Sequence, residues 1–186
     1  MRRVTAPGER DHPALALVNT RDARGEALAD AGALRAWIAH NGLAADARVD
    51  AVAAARMREL REAVRELLTA RVQGRAPTPA ALAAVNAAAA AAPTAPMLRW
   101  DDADGPREHR DCLGAGGAVL AAAVVAADAM ELVAGPRHAD LRACGAHGCV
   151  RLLLKDHPRR QWCSDRCGDR VRASRYYHRH KAAGAA

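Results

Sequence analysis

Four cysteines near the C-terminal end, Cys144, Cys149, Cys163 and Cys167, follow the spacing C-x4-C-x13-C-x3-C. Two close pairs joined by a short excursion suit a tetrahedral ion. Each pair supplies two sulfurs from one turn, and the excursion folds the pairs together. With all four positions taken by thiolates, no coordination site is left for a catalytic water. The expected occupant is one structural Zn2+. The competing readings are disulfides or inert core cysteines. A reducing compartment opposes the first, and a basic, aromatic-poor segment too small to fold without a metal opposes the second. Cys112 stands apart in the chain and receives no role.

The residues after Cys167 supply a second chemistry. From Gly168 to Lys181 the chain carries Arg170, Arg172, Arg175 and Arg179 among Tyr176, Tyr177 and His178. On a helix, Arg172, Arg175 and Arg179 share one face, where guanidinium groups can meet phosphates or read guanine in bidentate fashion. Arg159 and Arg160 are expected to assist from the preceding hairpin. From Arg137 to Ala186 twelve Lys or Arg oppose four Asp, a net of +8 in a chain of net +7, so the other 136 residues sum to −1. Such asymmetry is the footprint of a polyanion-binding module joined to a neutral domain, and duplex DNA is the partner expected first. Basicity alone does not separate one polyanion from another, so a zinc-stabilised protein- or RNA-interaction module stays open. Asp156-His157 with His178 and His180 loosely matches a metal-dependent nuclease, a third and weaker reading.

These residues need a scaffold. Gly145 and Gly148 loosen a knuckle between the first two cysteines. Val150, Leu152 and Leu154 then alternate with Arg151 and Lys155 as in a hairpin strand, and Cys163 and Cys167 fall in the first turn of a helix. This order of knuckle, hairpin and helix is close to a treble-clef finger. The fold class expected is mainly α: a helical N-terminal domain with a small β-hairpin, plus a C-terminal treble-clef-like zinc finger.

The N-terminal domain is read over 1–136 and the finger over 137–186. Asp30 caps a helix over about Ala31 to Asn41, stopped by Gly42. The longest helix is expected from about Asp46 to Gln73. Val49, Val52, Ala53, Leu60, Val64, Leu67, Leu68 and Val72 form its buried stripe, with Arg58, Arg61, Glu62, Arg65 and Glu66 on the other face. Thr78-Pro79 opens a helix to about Ala91. Met97–Trp100 and His109–Cys112 pair as a hairpin, and an Ala-dense helix runs from Gly117 to Ala134. These stripes look complete without the tail, so the region up to about Arg137 is expected to fold alone.

Ala, Val and Leu dominate the apolar residues, with no Phe, three Trp and two Tyr, which favours close-packed helices. No run of about twenty uncharged apolar residues occurs, so no membrane contact is expected. The N-terminus lacks a signal peptide's apolar stretch, which points to a cytoplasmic protein. The oligomeric state stays open, a homodimer included.

The cysteine framework, Arg160-Gln161-Trp162-Cys163-Ser164 and Cys167-Gly168-Asp169-Arg170 resemble the CGNR zinc finger. Leu15-Ala16-Leu17-Val18-Asn19-Thr20, with Leu34, Trp37 and Gly42-Leu43, resembles the opening of the ABATE domain that usually precedes that finger. The resemblance covers about His12 to Lys181 and implies a bacterial transcription regulator that binds DNA and is not an enzyme. In such a protein the helical domain would sense a small-molecule effector. His12, Asn19, Thr20 and Arg21 are candidates for lining its pocket, since polar groups in an apolar opening must find partners. The alternative is that Asn19 ties helices together. One departure stands out: Asp169 occupies the position of the family's Asn. Asp only accepts hydrogen bonds and repels phosphate, so pairing with Arg166 or Arg172 is the alternative to touching DNA.

Overall fold

In the computed structural model, capping side chains set three of the helix starts. The structure describes residues 4–22, 25–43, 49–102, 104–112 and 116–183, apart from the side chains at 109–111, 178–179 and 181–183. Helix α1 spans Pro13–Val18, α2 Ala31–His40, α3 Ala51–Val72, α4 Pro79–Ala90 and α5 Gly117–Ala134. Asp30 accepts from the Ala33 amide at 2.8 Å, Asp50 from Ala53 at 2.7 Å and Thr78 from Ala81 at 3.3 Å. Each cap satisfies one amide that the first helical turn leaves free, and is worth about 1 kcal/mol. The longest helix therefore starts at Ala51 rather than near Asp46, which itself lies outside the described residues. At Gly42 the backbone enters the left-handed region, φ 64°, and closes α2.

Three antiparallel hairpins punctuate the helices: β1 (Arg21–Asp22) with β2 (Gly25–Glu26), β3 (Thr94–Asp101) with β4 (Gly105–Cys112), and β5 (Leu141–Ala143) with β6 (Leu152–Leu154). The central pair is longer than the sequence suggests. A 3-10 turn over Pro136–Asp140 leads into β5, and α6 (Asp165–Ala183) ends the chain.

The main core gathers α1, α3, α4 and α5 around Leu15, Leu17, Val18, Val64, Leu68 and Leu132, all essentially inaccessible. Helix α5 buries mostly alanines (Ala121, Ala123, Ala126, Ala129), which lets its backbone approach its neighbours closely. Its length and apolarity match a membrane span, yet it packs on α1, α3 and α4 as a core helix. The carboxylate of Asp128, midway along it, is held by His12 at 2.7 Å and by the Ala14 amide at 2.8 Å. Burial pushes that carboxyl above the usual range.

Two positions of α3 correct the expected stripe. Val52 is 56 % exposed, and Met57 takes its place inside. Arg61, assigned to the outer face, is 2 % exposed. Its guanidinium grips Glu26 at 2.6 and 2.7 Å, meets Glu62 at 3.0 Å and donates to Thr20 Oγ1 at 3.1 Å. A bidentate pair of this kind offsets the cost of burying the charge, and Arg61 holds the Glu26 carboxyl below its ordinary range.

The core does not close within the first 136 residues. Leu141, Leu152 and Leu154 of the third hairpin belong to it, each at most 2 % exposed. The apolar stripes of the helices, expected to be complete without the tail, are therefore completed by it. An alternating strand reads as one-faced, but β6 is covered on both sides. Leu152 and Leu154 face the helices, while Leu153 enters a second cluster with Ala6, Cys144, Ala146 and Cys163.

Candidate metal centre and basic helix

The β5–β6 hairpin and the start of α6 bring the four cysteines together. Cys144 follows β5, where its amide bonds Arg151 O at 2.9 Å as the hairpin opens. Cys149 closes the knuckle through its amide to Ala146 O at 3.0 Å. Cys163 lies two residues ahead of α6, and Cys167 in its first turn. The helix thus carries one ligand rather than the two expected.

All four sulfurs lie within 4.8 Å of one another. Cys149–Cys163 is 3.8 Å, Cys163–Cys167 3.6 Å and Cys167–Cys149 3.9 Å. A disulfide would need about 2.05 Å. Zinc–sulfur bonds of about 2.3 Å at tetrahedral angles place the sulfurs about 3.8 Å apart, so this donor set fits Zn2+. The thiols also crowd one another. Hydrogen bonds from Cys149 and Cys163 drive Cys144 far below the ordinary thiol range, and their hydrogen bonds to Cys144 push Cys163 and Cys149 above it. Ionising all four sulfurs at this spacing takes a cation between them. Among the described residues this is the one group with metal-ligating geometry.

Around the thiols lies a buried polar network that the sequence reading did not single out. Arg151, 6 % exposed, donates to Glu9 Oε1 at 2.5 Å and toward Cys163 Sγ at 3.9 Å. Glu9 also accepts from Asn19 Nδ2 at 2.5 Å. The Asn19 side chain then completes the edge of β6, donating to Leu152 O at 2.8 Å and accepting from Leu152 N at 2.9 Å. Leu154 N bonds Pro7 O at 3.0 Å, so the N-terminal arm lines the finger's strand. Alternation in β6 assigned Arg151 to solvent. Only the second layer over that strand shows otherwise.

The proposed pocket residues are thus engaged internally. Asn19 is the tie between α1 and β6, and His12 holds Asp128. Thr20 donates to Leu17 O at 2.6 Å while accepting from Arg61, and Arg21, largely exposed, meets Glu62 at 3.5 Å. A cavity of about 690 Å³ opens elsewhere, against α3, α4 and α5, with Met57, Leu60, Ala84, Ala88, Val119 and Ala122 among its walls.

Helix α6 leaves the metal centre with little cover. Val171 packs against the cysteine cluster, whereas Ser174 and Tyr177 are exposed. Residues 172–177 are exposed throughout, with Tyr176 at 60 % and Tyr177 at 62 %. Of the basic residues singled out, Arg159 and Arg175 are exposed, with no side-chain partner among the described residues. Arg160 is held by Asp156 through two bonds of 2.9 Å, and Arg170 reaches back to His147 O at 3.0 Å. Arg172 pairs with Asp169 at 2.6 Å and lies over the Trp162 ring at 5.7 Å. The side chain of Arg179 lies outside the described residues. Gly168 allows the Trp162–Arg172 stack: a β-carbon there would meet Trp162 and the Arg172 guanidinium at 3.1 Å. Of the residues of the nuclease reading, Asp156 is held by Arg160 and His157 accepts from the Arg159 amide at 3.1 Å, while the side chain of His178 lies outside the described residues.

A four-thiolate centre carried on a knuckle, a hairpin and a basic helix, docked on a helical body, defines a zinc-finger protein of two-part design. Residues 141–180 match the CGNR zinc finger. Residues 11–136 match ABATE, described as a putative stress-induced transcription regulator, and the chain belongs to that family. No curated protein matches it.

Proposed function

We propose that this chain is a one-component transcription regulator whose α6 contacts duplex DNA while the helical domain responds to a small effector. The observation that carries the reading is the exposure of α6. A basic helix anchored by its first turn to a rigid metal centre offers guanidinium and tyrosine side chains to a partner. Zinc, when bound, supplies a structural cross-link of hairpin to helix. The ion pairs Arg160–Asp156 and Arg172–Asp169 are mostly exposed, so exchanging a carboxylate for a phosphate costs little. Asp169 therefore acts on DNA binding through Arg172. The effector half of the proposal rests on the cavity beside α3, α4 and α5, whose walls suit a small apolar molecule.

The test is a fluorescence anisotropy titration of labelled duplex at several salt concentrations. With about four to six phosphates engaged, log affinity falls with log salt at a slope of roughly −4 to −5. Replacing Arg172 and Arg175 by Ala abolishes specific binding, and Asp169→Asn tightens it modestly by releasing Arg172. Arg75→Ala with Arg107→Ala is the control, since both lie outside the finger and the cavity, in solvent-accessible ion pairs with Glu66 and Asp104. Arg58 and Arg65 would be poor controls, because they donate to the carbonyls of Leu28 and Val150. Binding that ignores salt, or that falls equally in the control, refutes the assignment.

A further inference from the structure

The cavity against α3, α4 and α5 is apolar toward the core and charged toward solvent. Along α3 and the turn before it, Val49, Val52, Ala53, Arg56, Met57 and Leu60 line it, at the three- and four-residue spacing of one helix face. Val49, Met57 and Leu60 are buried, whereas the charged residues of the wall, Arg35, Asp50, Arg56 and Glu59, are exposed. Helices α4 and α5 contribute alanines and Val119, which bring no polar side-chain atom. A wall of this kind is matched by an amphipathic molecule, its apolar part inward and its polar head at the mouth.

The formal charges of the four rim residues cancel, so the groups with bonds still to make decide the sign of the head. Asp50 Oδ1 is committed to the Ala53 amide at 2.7 Å as the cap of α3. Arg35 Nη2 donates to Val49 O at 3.3 Å, which anchors its guanidinium beside the cavity and leaves most of its five N–H groups for a ligand. Arg56 has no side-chain partner among the described residues, although Glu59 follows it by three positions on α3. Helix α5 starts at the same wall, where Gly116 has no side chain to cap the first amides. Two guanidinium groups and the positive end of a helix therefore stand against Glu59, the one rim carboxylate not engaged in a cap.

We infer that the effector is an amphipathic carboxylate, its apolar chain lying against the alanine faces of α4 and α5 and its carboxylate received by Arg35 and Arg56. A planar carboxylate matches the guanidinium fork, and its charge strengthens each bond. The inference rests on the reading of this cavity as the effector site and adds the chemical class that the site takes.

Calorimetric titration of the full-length zinc-loaded protein with decanoate, 1-decanol and decylamine tests it, since the three share one chain and differ in the head. Decanoate binds at least about tenfold tighter than decanol, as a bond to a charged group warrants, and decylamine binds weakest. Arg35→Gln/Arg56→Gln keeps decanol binding and brings decanoate down to the same level. Both arginines are exposed, so the fold is kept, and a thermal melt checks it. Ala84→Trp, at an exposed position of the wall, blocks the cavity and abolishes binding of all three. Equal binding of decanoate and decanol, both lost in Ala84→Trp, overturns the carboxylate while the effector site stands. Tightest binding of decylamine does the same and transfers the head to Glu59. A preference for decanoate that survives the double glutamine change, or decanoate binding that survives Ala84→Trp, also overturns the inference. If none of the three binds below about 1 mM, the effector reading of the cavity fails and the inference with it.

Discussion

Ending the chain after Pro136 removes the finger and, with it, part of the helical core. Leu141, Leu152 and Leu154 are each at most 2 % exposed within that core. At about 1.5–3 kcal/mol for each fully buried leucine, their loss costs roughly 5–9 kcal/mol. Asn19 also loses both bonds to Leu152, and Arg65 its bond to Val150 O. Net stability of a domain is typically about 5–15 kcal/mol, so the truncated region sits at or below the threshold of folding. The assay is thermal unfolding followed by near- and far-ultraviolet circular dichroism, with a dye that reports exposed apolar surface. The truncated chain is expected to keep helical signal, lose near-ultraviolet signal, bind the dye and melt without cooperativity. A cooperative transition within a few degrees of the full-length protein would refute the reasoning, because the hairpin would then contribute little to that core.

Asn19→Ala in the full chain removes three buried hydrogen bonds and leaves Leu152 N and O unpaired, a loss of about 3 kcal/mol by denaturant titration. An effect under about 0.5 kcal/mol would show that water replaces the side chain. For the metal, one zinc per chain is expected by atomic absorption, and Cys163→Ala should abolish retention. Because β6 lies between the two clusters, chelation should also lower the melting temperature of the helical body. Less than about half an equivalent of zinc together with reactive thiols would dismiss the centre.

Local chemistry made much of this protein legible. The cysteine spacing foretold the cluster because a tetrahedral ion demands two close pairs, a constraint written in chain distance. Asp30, Thr78-Pro79 and Gly42 marked helix ends because capping is decided within four residues. The basic helix was readable because charge adds along the chain. That its cover ends at Val171 was not readable, since nothing local says how far a neighbour extends.

What the sequence determined by itself was therefore the short-range part: the four-cysteine cluster, most helix limits and the charge asymmetry. Tertiary structure decided which faces have neighbours. Arg61 and Arg151 look like solvent-facing residues until Glu26 and Glu9, each far away in sequence, arrive to pair with them. Val52 looks like core until the helix is docked by its other side. The strand Leu152–Leu154 separates two clusters because the N-terminal arm and α1 close over it. Burial depends on everything that approaches a residue, and periodicity within one segment records only the segment's own faces.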